Sequence, residues 1–163
     1  MKLFVFLSAV MVMPLLSAAQ TLKQKELIMN NKAVVSKMYE TVFNKRDMSN
    51  VSLFVSDAYP GAFGQQLQPL IAAFPDAQWV VKDMVAEGDK VVVFQQFQGT
   101  HKGTFQDIPA TGKQVTGEGI VKYELKDGKI ISSHVLTDRL GFLQALGATI
   151  NTGSSGSPAI NNK

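Results

Sequence analysis

The stretch that decides the fold is QVTGEGIVKYELKDGKIISSHVLTD, residues 114–138. Two runs that alternate apolar and polar residues flank Asp127-Gly128. A two-residue hairpin turn needs a left-handed backbone at both central positions, and Asp-Gly tolerates that best. The stretch therefore reads as two antiparallel strands, 114–126 and 129–138. Gly117 and Gly119 predict a bulge or sharp bend in the first of them. Upstream, Lys90 to Gln98 is a further strand, and residues 77–86 around Trp79, Val80 and Val81 are another. Glu87-Gly88-Asp89 makes the turn between those two, and residues 99–113 read as a loop or wide turn.

Before residue 77 the period changes. Val34, Val35, Met38, Tyr39, Val42 and Phe43 recur at helical spacing, which predicts a helix over 21–47 with one apolar stripe. Shorter helices are expected near 48–55 and 64–74, the second stopped by Pro75-Asp76. A last short helix follows the hairpin at roughly 139–147. Helices first and strands afterwards, joined by tight turns, argue for an α+β fold with an antiparallel sheet covered on one face by helices. A strongly bent sheet closed in this way is a cone-shaped barrel with an open mouth.

The ends of the chain read differently. Lys2 followed by the apolar run Leu3 to Leu16, and then Ser17-Ala18-Ala19, has the three parts of a secretory signal peptide, with cleavage before Gln20. The run is shorter than the about 20 apolar residues that span a bilayer. The expected organisation is a signal peptide at 1–19, one domain at 20–150 and a disordered Gly-, Ser- and Asn-rich tail at 151–163. The expected location is periplasmic or secreted, with no membrane association after cleavage. The chain has no cysteine, so the fold must hold by packing alone. A formal charge of +3 without a basic run gives no sign of nucleic acid as a partner.

Several chemistries lack their residues. With two histidines, no thiol and no HExxH string, no metal site is expected. No GxGxxG or P-loop string supports a nucleotide cofactor, and no GxSxG string supports a serine nucleophile. What remains is acid–base work in an apolar pocket. His134, Leu136 and Asp138 share a strand face by the two-residue period. Asp138 ends the strand at the mouth of the cone, where an apolar setting would tune a carboxylate towards a general base. It also precedes Arg139-Leu140-Gly141, so it equally reads as a helix N-cap. His134, about 13 Å away along the strand, is either a second group facing the same ligand or a structural or solvent-facing histidine. Gln95 and Phe97 share a face with Val93; if that face is inward, Gln95 needs a partner or a ligand, and if the face is reversed Gln96 takes that place. Trp79 and Tyr123 are candidate pocket walls. His101, in a Gly-flanked turn, reads first as structural and second as a pocket residue.

Four strings occur in order with natural spacing: FPDAQWVVKDMVAEGDKV at 74–91, GTHKGTFQDIPATGK at 99–113, DGKI at 127–130 and DRLGFLQALGA at 138–148. Together they make the chain resemble the SnoaL-like polyketide cyclases, or ester cyclases, of the nuclear transport factor 2-like superfamily, over roughly residues 27–148. The resemblance implies the cone-shaped fold, a deep apolar pocket for a small apolar molecule, no cofactor, and homodimers formed through the sheet. It also implies a cofactor-independent cyclase, isomerase or lyase in which Asp138, the aspartate of DRLGFLQALG, serves as acid/base. This chain departs from the family pattern at Ser132-Ser133-His134, where Glu-His-Trp is usual, and at Gln95, where a tryptophan is common. The alternative from a different class is a non-catalytic periplasmic ligand-binding or dimerisation module of the same fold.

Overall fold

The computed structural model describes residues 12–151 and 159–162 of the 163-residue chain. Helix α1, Val12–Met38, runs on into a wider π-helical segment, Tyr39–Asn44. A 3-10 turn, Met48–Asn50, leads into the single-turn α2, Val51–Phe54, and α3 follows at Phe63–Ala73. Four strands come next: β1 Gln78–Glu87, β2 Lys90–Thr100, β3 Gln114–Lys126 and β4 Lys129–Thr137. They pair in sequence order as one antiparallel sheet. Helix α4, Arg139–Leu146, then folds back over the sheet end. This is the α+β arrangement expected from periodicity: helices closing the concave face of a curved antiparallel sheet.

The Asp127-Gly128 turn forms as its residues dictate. Both have a left-handed backbone, with φ of 52° and 74°, as a hairpin turn matched to strand twist requires. The expected bulge at Gly117 and Gly119 is absent, because β2 and β3 pair in regular register from Lys90–Glu124 to Thr100–Gln114. The bulges lie instead at Lys82 in β1 and Ile131 in β4, where one extra residue interrupts the pairing. A single extra residue moves every following side chain to the other face. Ile130 is therefore inside and fully buried, yet beyond the bulge the inward residues are Ser133, Val135 and Thr137.

The core sits between the sheet and the helices. Val35, Met38, Tyr39 and Val42 from the first helix meet Val91, Val93, Tyr123 and Ile130 from the strands. The helix begins at Val12 and ends at Asn44, rather than spanning 21–47. It is continuous through Ser17-Ala18-Ala19, while residues 1–11 of the expected signal peptide lie outside the described residues. Among the described residues no helix is long and apolar enough to cross a membrane. Part of the tail expected to be disordered is paired: β6, Ala159–Asn162, runs antiparallel to β5, Ala148–Asn151.

Candidate functional site

The cone encloses a cavity of about 300 Å³. Its wall is a continuous chain of aromatic rings. Phe63 stacks on Phe43 at 5.9 Å, and Phe43 meets Trp79 at 5.4 Å. Trp79 meets Phe97 at 5.3 Å, Phe97 meets Phe142 at 5.6 Å, and Phe142 meets Phe105 at 5.9 Å. All six rings line the space. Edge-to-face and tilted contacts of this kind are favourable beyond the area they bury. Trp79 is held by its backbone as well as its ring. The Asn44 side chain donates to the Trp79 carbonyl at 3.0 Å and accepts from its N–H at 2.8 Å.

The floor is made by two glycines of β3. A Cβ on Gly117 would lie 3.2 Å from the Phe142 ring. One on Gly119 would lie 3.1 Å from the Thr137 methyl and 3.2 Å from Gln95 Nε2. Both positions are inward in a regular strand. The lack of a side chain at both positions leaves this space open.

Two sets of hydrogen bonds bring polar atoms to this apolar space. Tyr123 donates its hydroxyl to that of Tyr39 at 3.1 Å, and Tyr39 donates onward to Gln95 Oε1 at 2.6 Å. Burial pushes both tyrosines well above the ordinary phenol range, so they stay protonated. Beside them the Tyr59 hydroxyl and Ser133 Oγ share a hydrogen bond of 2.6 Å. Cross-strand register sets the depth of each group. Tyr123 pairs with Ser133, whereas Gln95 pairs with Gly119 and Gly119 with Thr137. The row Gln95–Gly119–Thr137 leads directly to Asp138, so amide and carboxylate face one space near the mouth.

Asp138 is the N-cap of α4, and its Oδ1 accepts the Gly141 N–H at 2.8 Å. It also lines the cavity, so the cap and pocket readings hold at once. The carboxylate is solvent-exposed, contrary to the desolvated setting expected for it. Its Oδ2 has no protein partner among the described residues. Next to it Arg139 reaches across the mouth to Gln106 Oε1 at 2.9 Å. Gln106 and Asp107 both have left-handed backbones, with φ of 48° and 65°. They form the tip of a tight turn closed by two Phe105–Ile108 hydrogen bonds of 3.0 Å, which aims Phe105 at the cavity.

The structure thus brings Asp138, Gln95, Phe97, Trp79 and Tyr123 around one cavity and leaves two expected residues outside it. His134 lies on the convex face, exposed and paired with Lys122, because the Ile131 bulge reverses the faces of β4. It does not face a ligand together with Asp138. His101 is fully buried but not in the cavity. Its ring stacks on Phe74 at 5.1 Å, and Nδ1 meets the Thr111 hydroxyl at 3.0 Å and N–H at 3.3 Å. Burial lowers its pKa. It supports the wall from behind, since Phe74 in turn packs on Phe97, Phe105 and Phe142.

The sequence reading missed Tyr39, Tyr59, Ser133, Asn44 and the glycine floor as parts of the site. One signal was present: a tyrosine on a buried stripe needs a partner for its hydroxyl. Among the described residues no three His, Asp or Glu side chains come together to hold a metal ion.

Residues 33–146 match the family model for the SnoaL-like polyketide cyclases, and the chain belongs to that family. The family places it among proteins of cyclase type. AclR from Streptomyces galilaeus, a candidate hydroxylase, shares 24% identity and superposes with a TM-score of 0.68 over 74% of this chain and 97% of its own. The SnoaL-like protein of Jannaschia sp. CCS1 shares 23% identity, with a TM-score of 0.67 over 76% and 95% of the two chains. A SnoaL-like polyketide cyclase from Agrobacterium tumefaciens shares 19% identity, with a TM-score of 0.64 over 72% and 98%. Such likenesses establish the nuclear transport factor 2-like fold. No curated protein matches the chain significantly in sequence.

Proposed function

We propose that this chain is an exported, cofactor-independent enzyme of cyclase, isomerase or lyase type that acts on a small apolar carbonyl compound. Asp138 Oδ2 takes a proton from the carbon next to the carbonyl. Gln95 donates a hydrogen bond to the carbonyl oxygen, where negative charge develops as the proton leaves. The aromatic chain from Phe63 to Phe105 holds the apolar body of the substrate.

The observation that carries this reading is the row Gln95–Gly119–Thr137, with Asp138 next in the chain lining the same cavity. At a strand spacing of about 4.8 Å, the Gln95 and Thr137 backbones are roughly 10 Å apart. A small carbonyl compound lying over Gly119 reaches both side chains. The test is a panel of small ketones followed by amide NMR shifts and by product analysis. Shifts clustered on Gln95, Gly119 and Phe142, with turnover of at least one compound, are expected. Shifts scattered over the surface would sink the reading.

One observation favours a second reading, a ligand-binding module. Asp138 serves as a helix cap, accepting the Gly141 N–H. Under that reading Asp138→Asn leaves ligand affinity unchanged and there is no turnover to lose.

Export rests on the residue pattern at 1–19. N-terminal sequencing of the protein from a periplasmic fraction should begin at Gln20; an intact Met1 would refute export. A homodimer through the convex sheet face is supported by the exposed apolar row Phe94–Ile120–Leu136. Phe94→Glu should then convert the dimer to a monomer in sedimentation velocity; a monomeric wild type would refute it.

A further inference from the structure

We infer that Tyr39, which accepts from Tyr123, is a positioning residue that fixes the amide of Gln95 with its N–H donors turned into the cavity, so that the site selects ligands presenting a hydrogen-bond acceptor at that point and rejects ligands presenting a donor. The inference rests on the reading of this cavity as a ligand site, and it names the chemistry the ligand must carry there.

The direction of the relay follows from counting protons. Each tyrosine hydroxyl has one proton to give. Tyr123, 2% exposed, gives its proton to Tyr39, also 2% exposed. Tyr39 is left with its own proton and one neighbour to take it, the side chain of Gln95. If the amide were reversed, Tyr39 would accept from both sides and keep a buried proton with no acceptor, which is the costly arrangement. The length agrees with that direction. The 2.6 Å contact suits O–H···O, whereas N–H···O contacts centre near about 2.9 Å. Burial keeps both phenols protonated, so the relay holds its direction across ordinary pH.

With Oε1 held towards Tyr39, Gln95 turns Nε2 to the cavity. That atom lies over the glycine floor, 3.2 Å from where a Cβ on Gly119 would sit. Among the described residues it has no protein acceptor. A half-buried amide N–H without a partner is a donor held ready for a ligand oxygen. A ligand hydroxyl or amine placed there with its hydrogen forward would meet another donor. A free glutamine would turn over and satisfy either ligand, but the relay prevents that. The π-helical segment that begins at Tyr39 widens the turn at this point; such segments recur at functional sites.

Two bicyclic probes of similar size separate the cases. 1-Indanone presents only an acceptor, and indole presents only an N–H donor. Affinities come from amide NMR titrations of the full chain. The wild type should favour 1-indanone by about fivefold, the worth of one hydrogen bond near 1 kcal/mol. Tyr39→Phe, which frees the amide to turn, should bring the ratio of affinities close to one. Tyr123→Phe leaves Tyr39 with the same proton and the same single acceptor, so it should keep the wild-type ratio. Gln95→Glu, which keeps an acceptor for Tyr39 but removes the donors, should reverse the preference. A ratio unchanged in a folded Tyr39→Phe, or not reversed in Gln95→Glu where Tyr39→Phe does not fold, would overturn the inference while leaving the pocket reading standing. Equal binding of both probes by the wild type would do the same. Binding of neither probe by the wild type would overturn the inference and the pocket reading together.

Discussion

The two ends of the cavity are built on different terms. At the deep end, around Tyr123 and Ser133, the polar atoms bond to one another, Tyr123 to Tyr39 and Tyr59 to Ser133, and Tyr39 donates outward to Gln95 on the way to the mouth. At the mouth, four residues back along β3 and so about 13 Å away, Asp138 and Arg139 are exposed and partly free. Buried polar groups must be satisfied by the fold, so the deep end is fixed before any ligand arrives. Exposed groups can exchange water for a ligand at small cost. On the proposed function the deep end sets what can bind and the mouth does the chemistry. Substitutions at the deep end should therefore cost stability, and those at the mouth should cost activity.

The largest expected effect is at the wall near the deep end. Phe43 is 4% exposed and packs on Tyr39, Phe63 and Trp79. Phe43→Ala should destabilise the domain by about 3–5 kcal/mol, read from urea denaturation. A loss below 1 kcal/mol would mean that the aromatic chain is not a load shared with the core. Gly119→Val comes next. Its side chain must displace Thr137 and Gln95, which should cost about 1–3 kcal/mol and abolish binding of 1-indanone. Retained binding would place the ligand elsewhere.

At the mouth the costs shrink. Asp138→Ala removes the cap on α4 and should cost about 1 kcal/mol. Asp138→Asn keeps a capping oxygen and should cost only a fraction of that. Equal losses for the two would show that charge, not capping, is what Asp138 gives to stability. The smallest effect is a matter of pH. Burial depresses the pKa of folded His101 below its ordinary value. The unfolded chain then binds a proton at higher pH than the folded one. Stability is full above the unfolded pKa of about 6.5 and falls as pH drops below it. His101→Phe, which keeps the stack on Phe74, should lose less stability between pH 7 and 5 than the wild type does. Parallel curves would exclude His101 as the source.

Most of the fold was legible in the sequence, because it follows from period and turn chemistry. The Asp127-Gly128 hairpin, the four strands and the helices before them each rest on local residue pattern. The period of β2 and β3, which pair without interruption, put Phe97 and Tyr123 within reach as walls and narrowed the amide to Gln95 or Gln96; which face turns inward was not legible, and the structure turns Gln95 to the cavity. His134 was not, because the Ile131 bulge depends on how β3 and β4 meet and leaves no mark in β4 itself. Once that residue is counted, the inward face changes from His134 and Leu136 to Ser133, Val135 and Thr137. Tyr39 looked like one more member of an apolar stripe; its partners lie 56 and 84 residues away. The desolvated setting expected for Asp138 is absent because the last helix starts at the mouth and leaves the carboxylate in solvent.

The most direct test of the account is hydrogen exchange on a bound ketone. 1-Indanone has two acidic hydrogens on the carbon beside its carbonyl, and proton NMR in D2O follows their replacement by deuterium. The account predicts that the wild-type protein speeds this exchange above the buffer rate, and that Asp138→Asn, folded and still capped, returns it to the buffer rate. Equal exchange with the wild type and with Asp138→Asn would contradict Asp138 as the group that moves the proton, and would leave the cavity as a binding site alone.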